Sequence, residues 1–213
     1  MPEARTSYHH GALRETLLDV CLGLVETEGI GAVSLRRVAR EAGVSPRAPY
    51  NHFPDRASLL AALSGRGFAE VARLLEKAAA TADTPVAALV ALVRAYVDFA
   101  RDRPAYFRLM FRPELSESVN VPAGHEARDA GFRIVSDTVR RCVDGELIAE
   151  TQPEVLTVVL WGLGHGLASL WTDGELTKQA ADLDRTADTL VDQTLALLER
   201  LLSTGRQRPS IGV

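Results

Sequence analysis

Three predicted helix starts that carry arginine lie close together in the sequence, between Ser34 and Arg56. A side-chain oxygen at a helix start accepts a hydrogen bond from a free backbone N–H, and Ser and Asp are favoured there. The capping residues are Ser34, Ser45 and Asp55, and the arginines in the turns that follow are Arg36, Arg37, Arg47 and Arg56. A cation is mildly unfavourable at a helix N-terminus, which carries partial positive charge. A bound phosphate would reverse this, since it gains from both the N–H groups and the guanidinium groups. The pattern indicates an anion-binding surface, and the alternative is that these arginines lie on solvated faces.

The residues between these arginines predict two short helices joined by a turn. Leu35 and Val38 recur at helical spacing, and Gly43 can adopt the left-handed conformation that ends a helix. Ser45 would then cap a second helix, predicted at 46–52. Two helices joined by a short turn with glycine form a helix-turn-helix, whose second helix enters the major groove of DNA.

Side chains of the second helix have the chemistry of DNA contacts. Tyr50 and His52 can donate hydrogen bonds to phosphate oxygens, and Arg47 can donate to the acceptor edge of guanine. Pro49 has no backbone N–H and disfavours the α conformation of Ala48, so we expect a distorted first turn. The phosphate contacts are therefore easier to predict than the bases that are read.

Net charge alone argues against a nucleic-acid partner, because the chain of 213 residues carries −4. The charge is uneven, however: residues 34–56 hold 5 arginines against Glu41 and Asp55, a net charge of +3. An acidic body with one small basic face discourages non-specific binding. The sequence has no glycine-rich phosphate loop, no nucleophile elbow and no metal-ligand spacing, so neither catalysis nor a cofactor nor a metal is expected.

The remaining composition predicts a cytoplasmic protein. Cys21 and Cys142 make no disulfide framework, and the first residues lack the apolar core of a signal peptide. The 17 residues 155–171 carry no formal charge, slightly fewer than the about 20 needed to span a bilayer. This stretch contains His165 and has no basic cluster at either end, which favours a buried helix over a membrane span.

Apolar periodicity predicts an all-α chain of about nine helices. The predicted helices span 11–28, 35–42, 46–52, 55–80, 86–101, 105–111, 127–143, 153–172 and 183–202. The first three would form a helix-turn-helix DNA-binding domain at 1–55. A larger helical domain at 56–203, to which the family resemblance given below assigns regulation and dimerisation, and a disordered tail at 204–213 would follow.

The N-terminal part resembles the TetR family of bacterial transcriptional regulators. The resemblance covers residues 11–60 and is most specific in the run Tyr50-Asn51-His52-Phe53, followed by Arg56 and Leu59. The family's usual residue at the place of Arg56 is lysine, so the charge is kept while the geometry changes. Pro49 also departs from the family pattern.

The C-terminal part resembles a subgroup whose ligand domain carries a tryptophan–histidine–glycine signature, here Trp161 and His165-Gly166. The family implies a homodimer through the helices at 153–172 and 183–202, and a small-molecule pocket in each subunit. The apolar excess of both helices, which exceeds what one core can use, agrees with this interface.

The family also implies roles for single residues. Phosphate contacts are implied for Ser34, Tyr50, His52 and Arg56, and base or groove contacts for Arg36, Ser45, Arg47 and Pro49. Candidate pocket residues, for which ordinary core packing is the alternative, are Tyr96, Phe99, Phe107, Met110, Trp161 and His165. The implied function is a repressor that binds a palindromic double-stranded operator as a dimer and is released by a small molecule. The alternative is an adaptor of the same fold that binds small molecules without binding an operator.

Overall fold

The computed structural model describes residues 5–112, 122–148 and 151–204. Within these residues the protein is all-helical, which confirms the predicted fold class. The nine α-helices of the described ranges are α1 (Arg5–Glu28), α2 (Leu35–Glu41), α3 (Arg56–Thr81), α4 (Pro85–Asp102), α5 (Pro104–Met110), α6 (Pro122–Asp144), α7 (Pro153–Thr172), α8 (Glu175–Asp182) and α9 (Ala187–Thr204). Two short 3-10 helices, Ile30–Ala32 and Ala48–Asn51, lie before and after α2. Thr204 ends α9, and the rest of the predicted disordered tail lies outside the described residues.

Four predicted helices are wrong in detail. α1 begins at Arg5 rather than Gly11, and α6 begins at Pro122 rather than Ala127. The α-helix expected at 46–52 is the 3-10 helix Ala48–Asn51. The last helix begins at Ala187 rather than Leu183, and it is preceded by α8, which the sequence did not indicate. Only Leu176 and Ala180 of α8 are buried, so the helix has too short an apolar stripe to be recognised by periodicity.

The first of two compact units contains the described residues of 1–69 and 105–127. Its buried apolar residues come from α1, α2, the first half of α3 and the segment between α2 and α3: Leu17, Leu18, Cys21, Leu35, Val38, Phe53, Leu59 and Leu63. α5 packs closely on α3, because the buried Tyr106 donates from its hydroxyl to the carbonyl of Leu63 over 3.0 Å. Gly67 permits this approach, since a Cβ there would lie 2.6 Å from the sulfur of Met110.

The second unit contains residues 70–104 and the described residues of 128–204. In it α4 packs against both α7 and α9. Its core includes Leu89, Val93, Val97, Leu160, Leu167, Val191 and Leu195. An ionic network adds to the apolar contact: Arg94 pairs with Asp192, and Arg101 lies 3.2 Å from Asp188. These pairs connect α4 to α9.

Candidate nucleic-acid interface

The start of α2 is fixed by the cap that the sequence predicted. The hydroxyl of Ser34 accepts from the backbone N–H of Arg37 over 3.2 Å, with Ser34 in the extended conformation typical of this position. Leu35 and Val38 are buried, so the opposite side of α2 faces solvent and carries the exposed Arg36. The local rule of helix capping and the apolar spacing therefore decide which arginine is presented.

The turn after α2 also has its predicted geometry. Gly43 has a φ of 68°, the left-handed region that glycine enters without strain. Its N–H donates to the carbonyl of Arg40 over 3.1 Å, and the N–H of Val44 donates to that of Ala39 over 3.0 Å. These two bonds form a Schellman motif, which satisfies the last carbonyls of α2 and turns the chain sharply.

The segment after the turn is not an α-helix, and its prolines explain why. Pro49 has no N–H to donate to the carbonyl of Ser45, which instead accepts from Ala48 over 3.0 Å. The N–H of Tyr50 likewise donates to the carbonyl of Arg47 over 3.2 Å, three residues back. Ser45 was expected to cap a helix at 46–52 through its side chain, and that expectation is wrong. The tighter 3-10 turn changes the direction in which the side chains leave the backbone.

Within this segment the structure separates the predicted contact residues by exposure. Arg47 and Ser45 are exposed, and Tyr50 is 50 % exposed. Pro49, in contrast, is buried, and its carbonyl accepts from the N–H groups of His52 and Phe53 over 2.9 Å each. Pro49 thus shapes the segment from inside. Its implied groove contact stays a prediction, as do the contacts of the exposed residues.

The arginines of the segment fall into two groups. Arg36 and Arg47 are exposed, and neither forms an ion pair with another residue that the structure describes. Arg37 is held internally, because its guanidinium lies 2.5 Å from Glu28 and 3.8 Å from Glu41. The implied role of Arg37 at DNA stays a prediction, and its charge already has internal partners.

Arg56 also has internal partners, which no sequence pattern indicated. Its Nε donates to the carbonyl of Val33 over 2.8 Å, and its Nη2 donates to that of Ile30 over 2.6 Å. Asp55 caps α3 as predicted, since its carboxylate accepts from the N–H of Ser58 over 2.7 Å. This bond lowers the pKa of the Asp55 carboxyl below its ordinary value. Backbone carbonyls as partners have no side-chain signature, so sequence patterns could not reveal the bonds of Arg56.

Three of the candidate pocket residues come together in the second unit. The hydroxyl of Tyr96 lies 3.0 Å from Nδ1 of His165, so the two form a hydrogen bond. The ring of Trp161 lies 6.0 Å from that of His165, centroid to centroid. Burial, with a contribution from the charge of Arg128, lowers the pKa of His165, and burial raises the pKa of Tyr96. At neutral pH the pair is therefore an uncharged Tyr–His hydrogen bond.

The other candidate pocket residues are buried, and their role in a pocket stays a prediction. Phe107 and Met110 of α5 belong to the first unit, where Phe107 contacts Phe111 with ring centroids 5.0 Å apart. Phe99 is buried in α4. Among the residues that the structure describes, no group of three or more His, Cys, Asp or Glu side chains could hold a metal ion.

Comparison with known proteins places this geometry in a family. A model of bacterial regulatory proteins of the tetR family matches residues 17–63, and a model of the tetracyclin repressor-like C-terminal domain matches residues 89–194. Together these matches cover more than half of the chain. The chain belongs to the TetR family. The predicted family is thus confirmed, whereas the tryptophan–histidine–glycine subgroup stays a prediction.

Individual relatives agree with this assignment. The uncharacterized HTH-type transcriptional regulator YobS of Bacillus subtilis (strain 168) is 29 % identical over 99 residues, which cover 46 % of this chain and 50 % of YobS. The match thus spans half the length of that relative. A protein of unknown function from Rhodococcus sp. RHA1 is 31 % identical, with a TM-score of 0.77 over 93 % of this chain and 100 % of that chain. The TetR family transcriptional regulator PfmR of Thermus thermophilus shares the fold, with a TM-score of 0.65, 19 % identity and coverage of 86 % and 97 %.

Members of the TetR family regulate transcription, bind DNA and small-molecule effectors, and act as dimers. The C-terminal helices have a feature that bears on the last property. Exposed apolar side chains, here called the apolar faces, lie on α7 and α9: Val155, Val158, Val159 and Leu170, and Leu197 and Leu201. On α7 they recur at helical spacing opposite the buried side chains, and on α9 they lie one turn apart beside the buried side chains. The sequence indicated these faces, because both helices contain more apolar residues than one core-facing stripe can use.

α7 was expected to be a buried helix, and it is buried on one side only. Among the described helices, α7 is long and apolar enough by length and composition to cross a membrane. This is weak evidence for a span, because apolar helices of soluble proteins pass the same test. Val158, for example, is 55 % exposed. α7 therefore has one buried and one exposed apolar side.

Proposed function

We propose that this TetR-family protein is a cytoplasmic repressor that binds a palindromic operator as a homodimer and is released by a small molecule. The observation that carries the proposal is the exposure of Arg36 and Arg47 without ion pairs to other described residues, on a segment fixed by Ser34 and Gly43. Exposed guanidinium groups at fixed positions fit phosphate and guanine acceptors. No catalytic role is proposed.

The proposed phosphate contacts come from the exposed side of the same segment. Ser34 and Tyr50 are exposed, and His52 is partly exposed. The hydroxyls of Ser34 and Tyr50 can donate to a phosphate oxygen. Nε2 of His52 is buried, so a contact from this ring would have to come from Nδ1. These donors would set the register of the protein on the duplex, while Arg47 would supply sequence discrimination of about 1–3 kcal/mol at a guanine.

The homodimer is proposed to form through the apolar faces of α7 and α9. Leu201 is 63 % exposed, and Gly162 and Gly166 lie beside the valines of α7 with no atom near the place of a Cβ. Small residues let two helices approach closely, and burial of apolar surface contributes about 25 cal/mol per Å². A two-fold axis through such a face would place two helix-turn-helix segments on successive half-sites, about 34–36 Å or a multiple apart.

The small molecule is proposed to bind near Tyr96 and His165 in the second unit. Trp161, close to His165, is 44 % exposed, so this group of rings is accessible from outside. A ligand with an apolar body and one polar group would match an aromatic wall with a single uncharged hydrogen-bonding pair. Binding would release DNA only if the ligand prefers the DNA-free conformation.

A selection experiment tests the proposed operator binding. The purified protein is mixed with a randomised duplex library at low salt, bound duplexes are enriched, and gel shifts measure their affinity. Enrichment of an inverted repeat supports the proposal. Recovery of no duplex above the background of a non-binding protein would instead favour the adaptor of the same fold. The internal ion pairs of Arg37 with Glu28 and Glu41 are the observation that favours this second candidate.

A further inference from the structure

We propose that Arg56 is a positioning residue that holds the start of α2 in place for DNA binding, and that it does not itself contact phosphate. The proposal rests on the proposed operator binding for its role at DNA. It goes against the phosphate contact that the family resemblance implies for this position. The contacts of the guanidinium carry the argument.

The guanidinium of Arg56 joins two carbonyls that are far away in sequence. It donates from Nε to Val33 over 2.8 Å and from Nη2 to Ile30 over 2.6 Å, which lie 23 and 26 residues earlier. Both distances are those of good charge-assisted hydrogen bonds. Two parallel donors on a planar group fix direction as well as distance.

These carbonyls belong to the linker that leads into α2. The carbonyl of Ile30 already accepts from the N–H of Val33 over 3.3 Å, so Arg56 adds a second donor to it. Val33 follows the 3-10 helix in extended conformation. Val33 is buried and directly precedes Ser34, the cap of α2. Holding the Val33 carbonyl therefore fixes the peptide that leads into Ser34, and with it the position of Arg36.

The same contacts explain why arginine occurs in the first turn of α3. A cation at a helix N-terminus is mildly unfavourable unless an anion or a set of acceptors compensates. The carbonyls of Ile30 and Val33 supply that compensation from within the chain. Arg56 is exposed like Arg36 and Arg47, but it differs from them in having these internal acceptors, so no external phosphate is needed to explain its place in the first turn.

Lysine, the usual residue of the family here, cannot reproduce this arrangement. Its ammonium is a single point at the end of a flexible stem, whereas arginine offers five donors in a fixed fork. A phosphate contact survives the exchange of arginine for lysine, but a link between two carbonyls does not. The two variants Arg56→Lys and Arg56→Met therefore separate the two roles.

The salt dependence of DNA affinity is the first measurement. The probe is the duplex that the wild-type protein enriches from the randomised library. The logarithm of affinity falls with the logarithm of salt concentration by about 0.9 for each phosphate neutralised. We expect Arg56→Met to lower affinity about 10-fold, because the start of α2 is less ordered before binding. The slope should change little, because the variant releases as many counterions from DNA as the wild type. The matched control Arg36→Met removes an exposed charge of the same segment and should reduce the slope.

Hydrogen exchange without DNA is the second measurement. In Arg56→Met and in Arg56→Lys, amides in residues 29–38 should exchange about 10-fold faster than in the wild type, because local opening becomes easier. Arg36→Met should leave these amides unchanged. Circular dichroism of each variant checks that the helices are formed.

The outcomes are distinct. Faster exchange in both Arg56 variants, with an unchanged salt slope in Arg56→Met, supports the positioning role. Unchanged exchange, or a slope reduced as much as in Arg36→Met, overturns it. If the wild-type protein enriches no duplex, the proposed function fails, while the exchange measurement still decides whether Arg56 fixes the start of α2.

Discussion

Two surfaces of this protein expose side chains of opposite chemistry. The segment 34–56 exposes arginines, whereas the apolar faces of α7 and α9 expose valine and leucine. In both places other side chains of the same elements are apolar and buried. The cations can find partners within the chain, as Arg37 does with Glu28 and Arg56 with Val33. The apolar faces stay exposed among the residues that the structure describes, and only removal from water would stabilise them.

This difference predicts how strongly each surface depends on its partner. Exposed arginines are well hydrated, so the monomer loses little by presenting them. Exposed apolar patches of this kind are uncommon on monomers and mark interfaces. We therefore expect changes on the apolar faces to have larger effects than changes on the arginine segment. The following predictions run from the largest expected effect to the smallest.

Val159→Asp should abolish the dimer. Val159 is 53 % exposed on α7, so the monomer should tolerate the change, but an unpaired carboxylate at the interface costs several kcal/mol on burial. The dimer dissociation constant should rise more than about 100-fold, measured by sedimentation equilibrium. Leu183→Asp is the matched control, because Leu183 is 58 % exposed but lies outside α7 and α9. If the two variants dimerise equally well, the apolar faces do not form the dimer interface.

Arg47→Met should weaken operator binding about 10- to 100-fold, the amount carried by one good guanine contact. Gel shifts with the enriched duplex measure the loss, and substituted duplexes should show which base pair is no longer discriminated. Arg140→Met is the control, since Arg140 lies on α6 with a side chain that is 53 % exposed and paired to Asp137. If both variants bind equally well, the 3-10 segment does not read the bases.

Gly67→Ala should destabilise the first unit by about 1–3 kcal/mol through overpacking. The added Cβ would meet Met110 at 2.6 Å and the buried ring of Tyr106 at 2.8 Å. Gly23→Ala is the control: no atom lies within 4 Å of a Cβ there, and its helix should gain about 0.5–1 kcal/mol. Urea unfolding measures both. A stabilised Gly67→Ala protein would mean that α5 moves away from α3 easily.

His165→Gln should remove a small pH dependence of stability. Burial, with the charge of Arg128, holds the pKa of His165 below its ordinary value of 6.5. As the pH falls through 6.5, the unfolded chain takes up a proton that the folded chain does not, so stability falls with pH. The wild type should therefore lose more thermal stability between about pH 7.5 and about pH 5 than the variant. Identical loss in both would show that His165 titrates normally in the folded protein.

Local rules were sufficient for several features that depend on neighbours in sequence. Ser34 and Asp55 cap their helices and Gly43 turns the chain, because capping and left-handed turns require only a few adjacent residues. The same reasoning identified Pro49 as a source of distortion. It underestimated the extent, because the loss of one N–H was expected to affect a single turn and instead removed the α-helix.

The candidate site was predictable in its residue types but not in its partners. Sequence alone determined a basic helix-turn-helix segment, an apolar excess in the last helices and the family to which both belong, since these follow from spacing and composition. Tertiary structure alone decided that Arg37 pairs with Glu28, that Arg56 binds the carbonyls of Ile30 and Val33, and that Tyr96 meets His165. The physical reason is that a guanidinium or hydroxyl group can donate a hydrogen bond to any acceptor within reach. Which acceptors are within reach depends on packing between helices that are distant in the sequence.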